Sequence, residues 1–380
     1  MDFYTKNVHY SKKSKDQIHS KVTPIYQTSA FTFRSLEELE GYYEGQGNYL
    51  YSRVGNPNTD ELGQGVAALE GADAGVATSS GLSAVLVSIL SVAHAGDHII
   101  ANDDLYGGTF QLIAKELQEV GVEASFVSFE NKQEIVAAIR PNTKVIYSES
   151  VTNPLLRVEN LKQVVEIAKE YNLVSIIDNT FATPFLCKPL EVGVDLVVHS
   201  ATKYIGGHSD VTAGVVVGSS ALMDRVTQKV VNLGANLSPF ESWLACRGLK
   251  TLSIRMERQS HNAEELAKGL DGYRGVKKVY YPTGLSPLGN GAMVSIELDS
   301  SLCDVNTFFS SLGWIKIVPT LAGIETTVSY PIATSHRALS QESLDELGIT
   351  RGLVRISVGI ENDQDIVSAF RQAIDQSLQK

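Results

Sequence analysis

The chain has 380 residues, of which 43% are hydrophobic and 20% are charged, and this length allows two domains with separate cores. The formal net charge of −11 argues against nucleic acid or an anionic membrane as a partner, because both would repel an acidic surface. The cysteines Cys187, Cys246 and Cys303 are odd in number and widely spaced. They indicate buried thiols in a reduced compartment, and they predict neither a disulfide framework nor a zinc site.

The N-terminal segment is polar and basic, and it lacks the apolar stretch of a secretory signal. The longest apolar stretch, residues 84–95, is too short to span a bilayer. The sequence therefore predicts a cytoplasmic protein that does not enter a membrane. Residues 1–47 show little apolar periodicity and contain Pro24 and several glycines, so we predict an arm there rather than a domain.

Residues 58–245 alternate between helical and strand-like segments, and we predict that residues 48–246 form the large domain of an α/β fold. Such alternation is typical of a mostly parallel sheet that is covered by helices on both faces. Ligands bind outside the carboxyl ends of the strands in these sheets. The predicted helices are 60–70, 82–93, 108–119, 132–139, 161–171 and 222–231. The predicted strands are 76–79, 98–101, 124–129, 144–149, 173–178, 196–199 and 214–217.

The pattern changes after Arg247, and residues 247–380 predict a smaller α+β domain at the C-terminus. A long helical stretch, 255–270, precedes several strand-like runs, and a final helix is predicted over 363–378. The predicted strands of this domain are 277–281, 293–298 and 316–318, with a further strand-like run at 353–358.

The segment that follows the predicted strand 196–199 is the most informative of the chain. Lys203 comes after two small hydroxyl residues just beyond this strand, and Asp178 ends the preceding strand. A pyridoxal 5'-phosphate site requires a lysine that bonds to the cofactor's aldehyde and an aspartate that keeps the pyridine nitrogen protonated. Alone, Lys203 could be a surface lysine in a glycine-rich loop, and Asp178 could bond loop amides. Together they predict a pyridoxal phosphate site.

Two further features fit an anionic cofactor and an amino-acid substrate. Gly81 and Leu82 open a predicted helix, whose N-terminus would present free backbone N–H groups to a phosphate. Arg355 lies in an apolar, strand-like run, where a lone cation needs an anionic partner. That partner is either a substrate carboxylate or a structural carboxylate. His199 and His208 have no assigned partner, so we interpret them as structural.

The sequence also resembles the transsulfuration enzymes, which include cystathionine γ-synthases, cystathionine β- and γ-lyases, methionine γ-lyases and O-acylhomoserine sulfhydrylases. The resemblance extends over nearly the whole chain, from 22–26 to 355–359. The segments that carry it are Ser200-Ala201-Thr202-Lys203-Tyr204 with Gly206-Gly207-His208, Asp178-Asn179-Thr180-Phe181, and Tyr106-Gly107-Gly108-Thr109. It implies a PLP-dependent transferase fold of type I, similar to aspartate aminotransferase, and a homo-oligomer that is a dimer of dimers.

The resemblance also implies a role for each matching residue. It places the cofactor phosphate on Gly81, Leu82, Ser200 and Thr202, with Tyr51 and Arg53 contributed by the neighbouring subunit. It implies that Tyr106 stacks on the ring, that Asn153 bonds the ring oxygen, and that Arg355 with Thr320 and Asn153 binds the substrate carboxylate. The catalytic residues it implies are Lys203, which moves protons, and Tyr106 or Tyr51, which helps to deprotonate the incoming amine.

The exact reaction is less constrained, because the chain departs from its relatives near the leaving group. Pro319 stands where the cystathionine γ-enzymes commonly have glutamate, and Gly108 stands where methionine γ-lyases have cysteine. Val151 replaces a common proline. We favour a carbon–sulphur lyase with relaxed substrate choice. The alternatives are a cystathionine γ-synthase or a sulfhydrylase, an aminotransferase on the same fold, and an idle cofactor-binding regulator.

Overall fold

The computed structural model describes residues 1–10, 20–47, 49–334, 337 and 341–379, and these residues form two sheets with their covering helices. The N-terminal segment that was predicted as an arm contains two helices, α1 (Phe3–Val8) and α2 (Leu36–Tyr43). Asn7 of α1 is fully buried, and its side chain donates to Leu249 O and accepts from Ser253 N. By contrast, α2 buries none of its residues. The start of the chain is therefore anchored, although most of the segment that follows is exposed.

The larger sheet has seven strands in the order β1-β7-β6-β5-β4-β2-β3. Its strands are β1 (Ala74–Thr78), β2 (His98–Asn102), β3 (Glu123–Val127), β4 (Thr143–Glu149), β5 (Val174–Asp178), β6 (Leu196–His199) and β7 (Gly214–Gly218). Strand β7 is antiparallel to both of its neighbours, while β3, β2, β4, β5 and β6 are mutually parallel. Strands β1, β4, β5 and β6 therefore end at the same edge of the sheet.

Helices cover both faces of this sheet, as the continuous apolar strands predict. Neighbouring residues of one strand contribute to opposite cores: Ile176 belongs to one buried cluster and Ile177 to the other. The helices are α3 (Pro57–Glu70), α4 (Gly81–Leu90), α5 (Gly107–Gln111), α6 (Leu117–Glu119), α7 (Lys132–Ala137), α8 (Leu161–Glu170), α9 (Thr183–Leu186), α10 (Pro189–Val192), α11 (Ser220–Leu233) and α12 (Pro239–Leu249). A π-helical turn, Leu112–Glu116, joins α5 to α6.

The smaller sheet has five strands in the order β10-β11-β12-β9-β8 and is mostly antiparallel. Its strands are β8 (Val276–Tyr280), β9 (Met293–Leu298), β10 (Lys316–Ile317), β11 (Thr327–Ser329) and β12 (Leu353–Ser357). The accompanying helices are α13 (Leu252–Leu270), α14 (Val305–Ser310), α15 (Gln341–Glu346) and α16 (Asp363–Ser377), with a 3₁₀ turn at Pro331–Ala333. Helices α13 and α16 enclose a separate buried core with this sheet.

The predicted α/β fold with a smaller α+β part is confirmed, and all seven predicted strands of the large sheet are present. The predicted helix 108–119 is interrupted by the π-helical turn. Helix α12 and strand β11 were not predicted. The boundary between 246 and 247 falls inside α12, and the division into an arm and two domains remains a prediction.

No helix in the described ranges is long and apolar enough to cross a membrane.

Helix α12 packs closely against the loop that carries Lys203, and a glycine allows this approach. A Cβ atom at Gly248 would collide with the carbonyl oxygen of Gly206. We expect Gly248→Ala to lower the free energy of unfolding by about 1–3 kcal/mol, because added volume strains a packed core. Urea unfolding measures the change. The matched control is Gly41→Ala in α2, where the nearest atom to the new Cβ lies 3.5 Å away.

The control substitution should leave stability unchanged or raise it by up to about 1 kcal/mol, because alanine is the better helix former. Equal urea midpoints for Gly248→Ala and the wild-type protein would contradict the close packing of α12 on this loop.

Candidate active site

A cavity of about 550 Å³ opens at the carboxyl ends of β1, β4, β5 and β6 and reaches β12 of the smaller sheet. This is the edge at which the topology predicted a ligand site. Ten of the twelve predicted site residues line it: Gly81, Leu82, Tyr106, Asn153, Asp178, Ser200, Thr202, Lys203, Thr320 and Arg355. Tyr51 and Arg53 do not.

Lys203 lies in a turn that follows β6, and its amine points into the cavity. Its Nζ donates a hydrogen bond to Thr320 Oγ1 over 2.9 Å, which links the large sheet to the loop before β11. Burial, with a smaller contribution from the Arg355 guanidinium, lowers the pKa of Lys203 to about 8. A substantial fraction of this amine is therefore neutral near pH 8, as a nucleophile or base requires.

Asp178 and Glu149 end neighbouring parallel strands and form a pair in register. Both line the cavity. Burial raises the pKa of Glu149 well above its usual range, and the nearby Asp178 raises it further. Burial also raises the pKa of Asp178, whereas hydrogen bonds from Thr180 oppose this shift. Within the described residues neither carboxylate has an ion-pair partner, so this wall of the cavity can stabilise a cationic ring.

Glu149 was missed by the sequence reasoning as a site residue. Its Oε1 accepts the backbone N–H of Tyr106 over 2.7 Å, and this bond fixes the start of α5. The signal was present, since a predicted strand ends on Glu149 as another ends on Asp178.

Helix α4 directs its N-terminus at the cavity, as predicted. Ser80 caps the helix through a reciprocal pair of hydrogen bonds with Ser83, which leaves the N–H groups of the first turn near the wall formed by Gly81 and Leu82. A Cβ at Gly81 would lie 2.7 Å from Ser200 Cβ, so only glycine allows the two segments to approach this closely. These groups form a cradle that suits a phosphate.

The hydroxyl of Thr202, another predicted phosphate ligand, is already engaged by its own chain. It donates to Ala213 O over 3.2 Å and accepts from Ala213 N over 3.0 Å. Thr202 therefore fixes the loop after β6 to the start of β7, in addition to lining the cavity.

Arg355 enters the cavity from β12 and is only 3% exposed. Its NH1 donates to Asn153 Oδ1 over 2.9 Å, and its Nε has no hydrogen-bond partner among the described residues. None of the ion pairs in the described ranges includes it, so the structure gives no support to a structural salt bridge. A buried, unpaired guanidinium favours binding of a carboxylate in its planar fork.

Tyr106 forms the exposed wall of the cavity, with 44% of its surface accessible. Tyr51 is 43% exposed and lies outside it. The Arg53 guanidinium lies 5.6 Å from the centre of the Tyr51 ring and donates to Val231 O over 3.1 Å. A single chain therefore does not bring Tyr51 and Arg53 to its own cavity.

The two histidines that were interpreted as structural differ in their surroundings. His208 is exposed, and its Nδ1 lies 2.9 Å from Gly206 O. His199 is 1% exposed, and its Nε2 lies 2.8 Å from Glu70 Oε1. The sequence showed no partner for His199, because Glu70 lies 129 residues away in the chain.

The lining of the cavity fits the predicted cofactor. It combines a phosphate cradle that a Cβ would fill, a buried carboxylate that forms no ion pair among the described residues, and an amine whose pKa is lowered by burial. The remaining wall includes Val151, Phe181, Pro319 and Leu321. This arrangement can bind an amino acid by its carboxylate and leave an apolar space for its side chain.

Comparison with known proteins agrees with this chemistry. The family model described as "Cys/Met metabolism PLP-dependent enzyme" matches residues 4–375. The chain is 38% identical to a cystathionine β-lyase of Lactococcus lactis subsp. cremoris, with 98% of each chain covered. It is 39% identical to an L-methionine γ-lyase of Porphyromonas gingivalis, with 93% of this chain and 92% of that protein covered.

A solved structure extends the comparison to the fold. It is a putative O-acetylhomoserine (thiol)-lyase of Campylobacter jejuni that contains a pyridoxyl-lysine monophosphate. The two structures agree with a TM-score of 0.92 and 29% identity, over 99% of this chain and 100% of that one. The three similar proteins described here are therefore named after three different reactions.

Proposed function

Because the chain belongs to the family of Cys/Met metabolism PLP-dependent enzymes, we propose that it is a carbon–sulphur lyase with relaxed substrate choice. It is an enzyme that uses pyridoxal 5'-phosphate to act on an amino acid, in the manner of the lyases and γ-synthases. The observation that carries the proposal is the meeting of Lys203, Asp178 and Arg355 in one cavity.

When bound, the cofactor supplies an aldehyde for the substrate amine and a cationic ring that withdraws electrons from the α-carbon. We assign its ring nitrogen to Asp178 and its phosphate to the cradle at α4 and the loop after β6. The residues of the cradle are Gly81, Leu82, Ser200 and Thr202. Tyr106 is assigned to the ring face and Asn153 to the ring oxygen.

The protein's own groups perform the proton transfers and the positioning. Arg355 holds the substrate carboxylate, and Thr320 keeps the Lys203 amine directed into the cavity through their 2.9 Å hydrogen bond. Neutral Lys203 removes the α-proton and can return it at another carbon. Tyr106, or Tyr51 of a neighbouring subunit, takes a proton from the incoming amine.

The apolar wall favours a lyase that accepts small thioethers and thiols. In the described part of the chain, the only carboxylates that line the cavity are Glu149 and Asp178. Pro319 offers no carboxylate to a distal ammonium, and it also lacks a backbone N–H. A substrate such as methionine or cysteine requires no partner at this position. A cystathionine γ-synthase is the second candidate, because the same groups support replacement at the γ-carbon.

We also propose that the enzyme acts as a cytoplasmic homo-oligomer, a dimer of dimers. Tyr51 and Arg53 are accessible and lie outside the cavity of their own chain. In the proposed assembly they complete the phosphate site of the neighbouring subunit, where an arginine fork suits phosphate oxygens.

The test is to incubate the purified, cofactor-loaded enzyme with cystathionine, homocysteine, methionine and cysteine, and separately with O-acetylhomoserine plus cysteine, and to identify products by mass. A free thiol with pyruvate would show β-cleavage, and one with 2-oxobutyrate would show γ-cleavage. Cystathionine from the last pair would favour the synthase. The absence of products on every substrate, despite the yellow colour of the bound cofactor, would contradict the proposal and favour an idle binder.

A further inference from the structure

A buried acid–histidine pair lies next to the cavity but does not line it. Glu70 is the last residue of α3, and His199 is the last residue of β6. Their exposed fractions are 0% and 1%, and 2.8 Å separates Glu70 Oε1 from His199 Nε2. The proton transfers assigned above use neither side chain, although burying two ionisable groups is costly without a compensating role.

Glu70 also bonds the residue that follows Asp178. Asn179 Nδ2 donates to the same Glu70 Oε1 over 2.8 Å, and the backbone N–H of Asn179 donates to Val198 O over 2.8 Å. One carboxylate oxygen thus joins the ends of β5 and β6. Because Asp178 ends β5 and Lys203 follows β6, this contact holds the two strand ends from which the cofactor site is built.

His199 adds an electrostatic effect to this linkage. Burial raises the pKa of Asp178, and the neighbouring imidazole of His199 acts against it, after the hydrogen bonds from Thr180. From the opposite side, β4 presents Glu149 and Tyr147, and the pKa of each is raised by burial and by the charge of Asp178. Of these three neighbours, His199 is the one whose electrostatic interaction lowers the pKa of Asp178.

The second polar atom of each of these two side chains also favours a functional role for the pair. Glu70 Oε2 and His199 Nδ1 are buried and have no hydrogen-bond partner within the described ranges. A pair that served packing alone would lose stability through these atoms, because unsatisfied buried groups carry their full desolvation cost.

We propose that Glu70 and His199 are positioning residues that keep the Asp178 carboxylate in place and ionised toward the cofactor ring. Glu70 orients the imidazole and holds Asn179 by a hydrogen bond, and the imidazole acts electrostatically on Asp178. The inference rests on the proposed function for the identity of the group that Asp178 meets. It extends the site to a layer of residues that no substrate contacts.

The experiment compares the wild-type holoenzyme with His199→Gln and Glu70→Gln. Both substitutions retain a hydrogen-bonding side chain and remove the ionisable group. The matched control is His98→Gln, because His98 is a buried histidine of the same sheet that bonds Thr143 and Ser125, far from the cavity. The measurements are the cofactor dissociation constant, the absorption spectrum of the bound cofactor between pH 5 and 9, and urea unfolding.

We expect either site variant to weaken cofactor binding about tenfold, as the loss of a charged hydrogen-bonded neighbour implies. The spectral transition at low pH should move to higher pH in His199→Gln, because Asp178 loses a neighbour that acts to lower its pKa. His98→Gln should lower only the urea midpoint.

Wild-type affinity and spectra in both site variants, with lower stability alone, would overturn the proposal and leave the pair a packing feature. If one variant does not fold, the other still supplies the comparison. Neither cofactor measurement uses a substrate, so the result stands apart from the outcome of the product assay that tests the lyase.

Discussion

Lys203→Ala is expected to lower kcat by at least about 10⁴-fold, because it removes both the nucleophilic amine and the base for the α-proton. No other lysine lines the cavity among the described residues. Thr320, the hydrogen-bond partner of the amine, cannot substitute for it, because a hydroxyl is a far weaker base. Steady-state kinetics on the best substrate from the product assay measures the loss, and absorbance reports whether the cofactor is retained.

The matched variant is Lys203→Arg, which keeps a cation of similar length. Arginine does not deprotonate in proteins, so we expect nearly the same loss of activity. Retained activity in Lys203→Arg would show that positive charge, rather than a neutral amine, is what the site needs. Retained activity in Lys203→Ala would contradict the mechanism at its first step.

Arg355→Gln is expected to lower kcat/KM by about 10²- to 10³-fold, mostly through KM, because a buried charged contact to the substrate carboxylate is lost. Glutamine is shorter and uncharged, so the hydrogen bond from Arg355 NH1 to Asn153 Oδ1, 2.9 Å long in the structure, is lost together with the guanidinium. The measurement is steady-state kinetics with the amino acid and with its amide. The wild-type enzyme should prefer the acid strongly, and the variant should show little preference.

The same substitution should change the pH dependence of cofactor capture by the apoenzyme. The neutral amine is the reactive form, and the pKa of Lys203 is lowered to about 8 by burial and by Arg355. The wild-type rate should therefore rise with pH through a midpoint near pH 8, and this midpoint should lie at higher pH in Arg355→Gln. An unchanged midpoint and an unchanged preference for the acid would together show that the guanidinium does not act in this cavity.

The large sheet could be predicted from sequence because buried parallel strands are short, continuous apolar runs between helices. Residues Val174–Asp178 and Leu196–His199 follow this pattern in the structure. Helix α12 was missed for a physical reason. Several of its buried positions carry small residues, Ser242, Ala245, Cys246 and Gly248, because it packs tightly on its neighbours, and small residues give a weak apolar pattern.

Some residues of the candidate site could also be predicted from the sequence, and others could not. Lys203 and Asp178 could be found because the ends of neighbouring strands meet at one edge of the sheet, and the structure brings both to the cavity. Glu70 could not be found, since its contact with His199 depends on how the end of α3 packs beneath the sheet. Tertiary packing of this kind leaves no local periodicity in the sequence.

The reactive amine and the guanidinium that tunes it come from different sheets, with Lys203 after β6 and Arg355 on β12. Strand β7, the last strand of the larger sheet in the chain, ends at Gly218, whereas β12 begins at Leu353. Without β12 in place, the cavity would lack the buried guanidinium, and the pKa of Lys203 would lie closer to its ordinary value. The reactivity of the nucleophile therefore depends on segments that are far apart in the chain, and the amine reaches its full reactivity only when both sheets are folded.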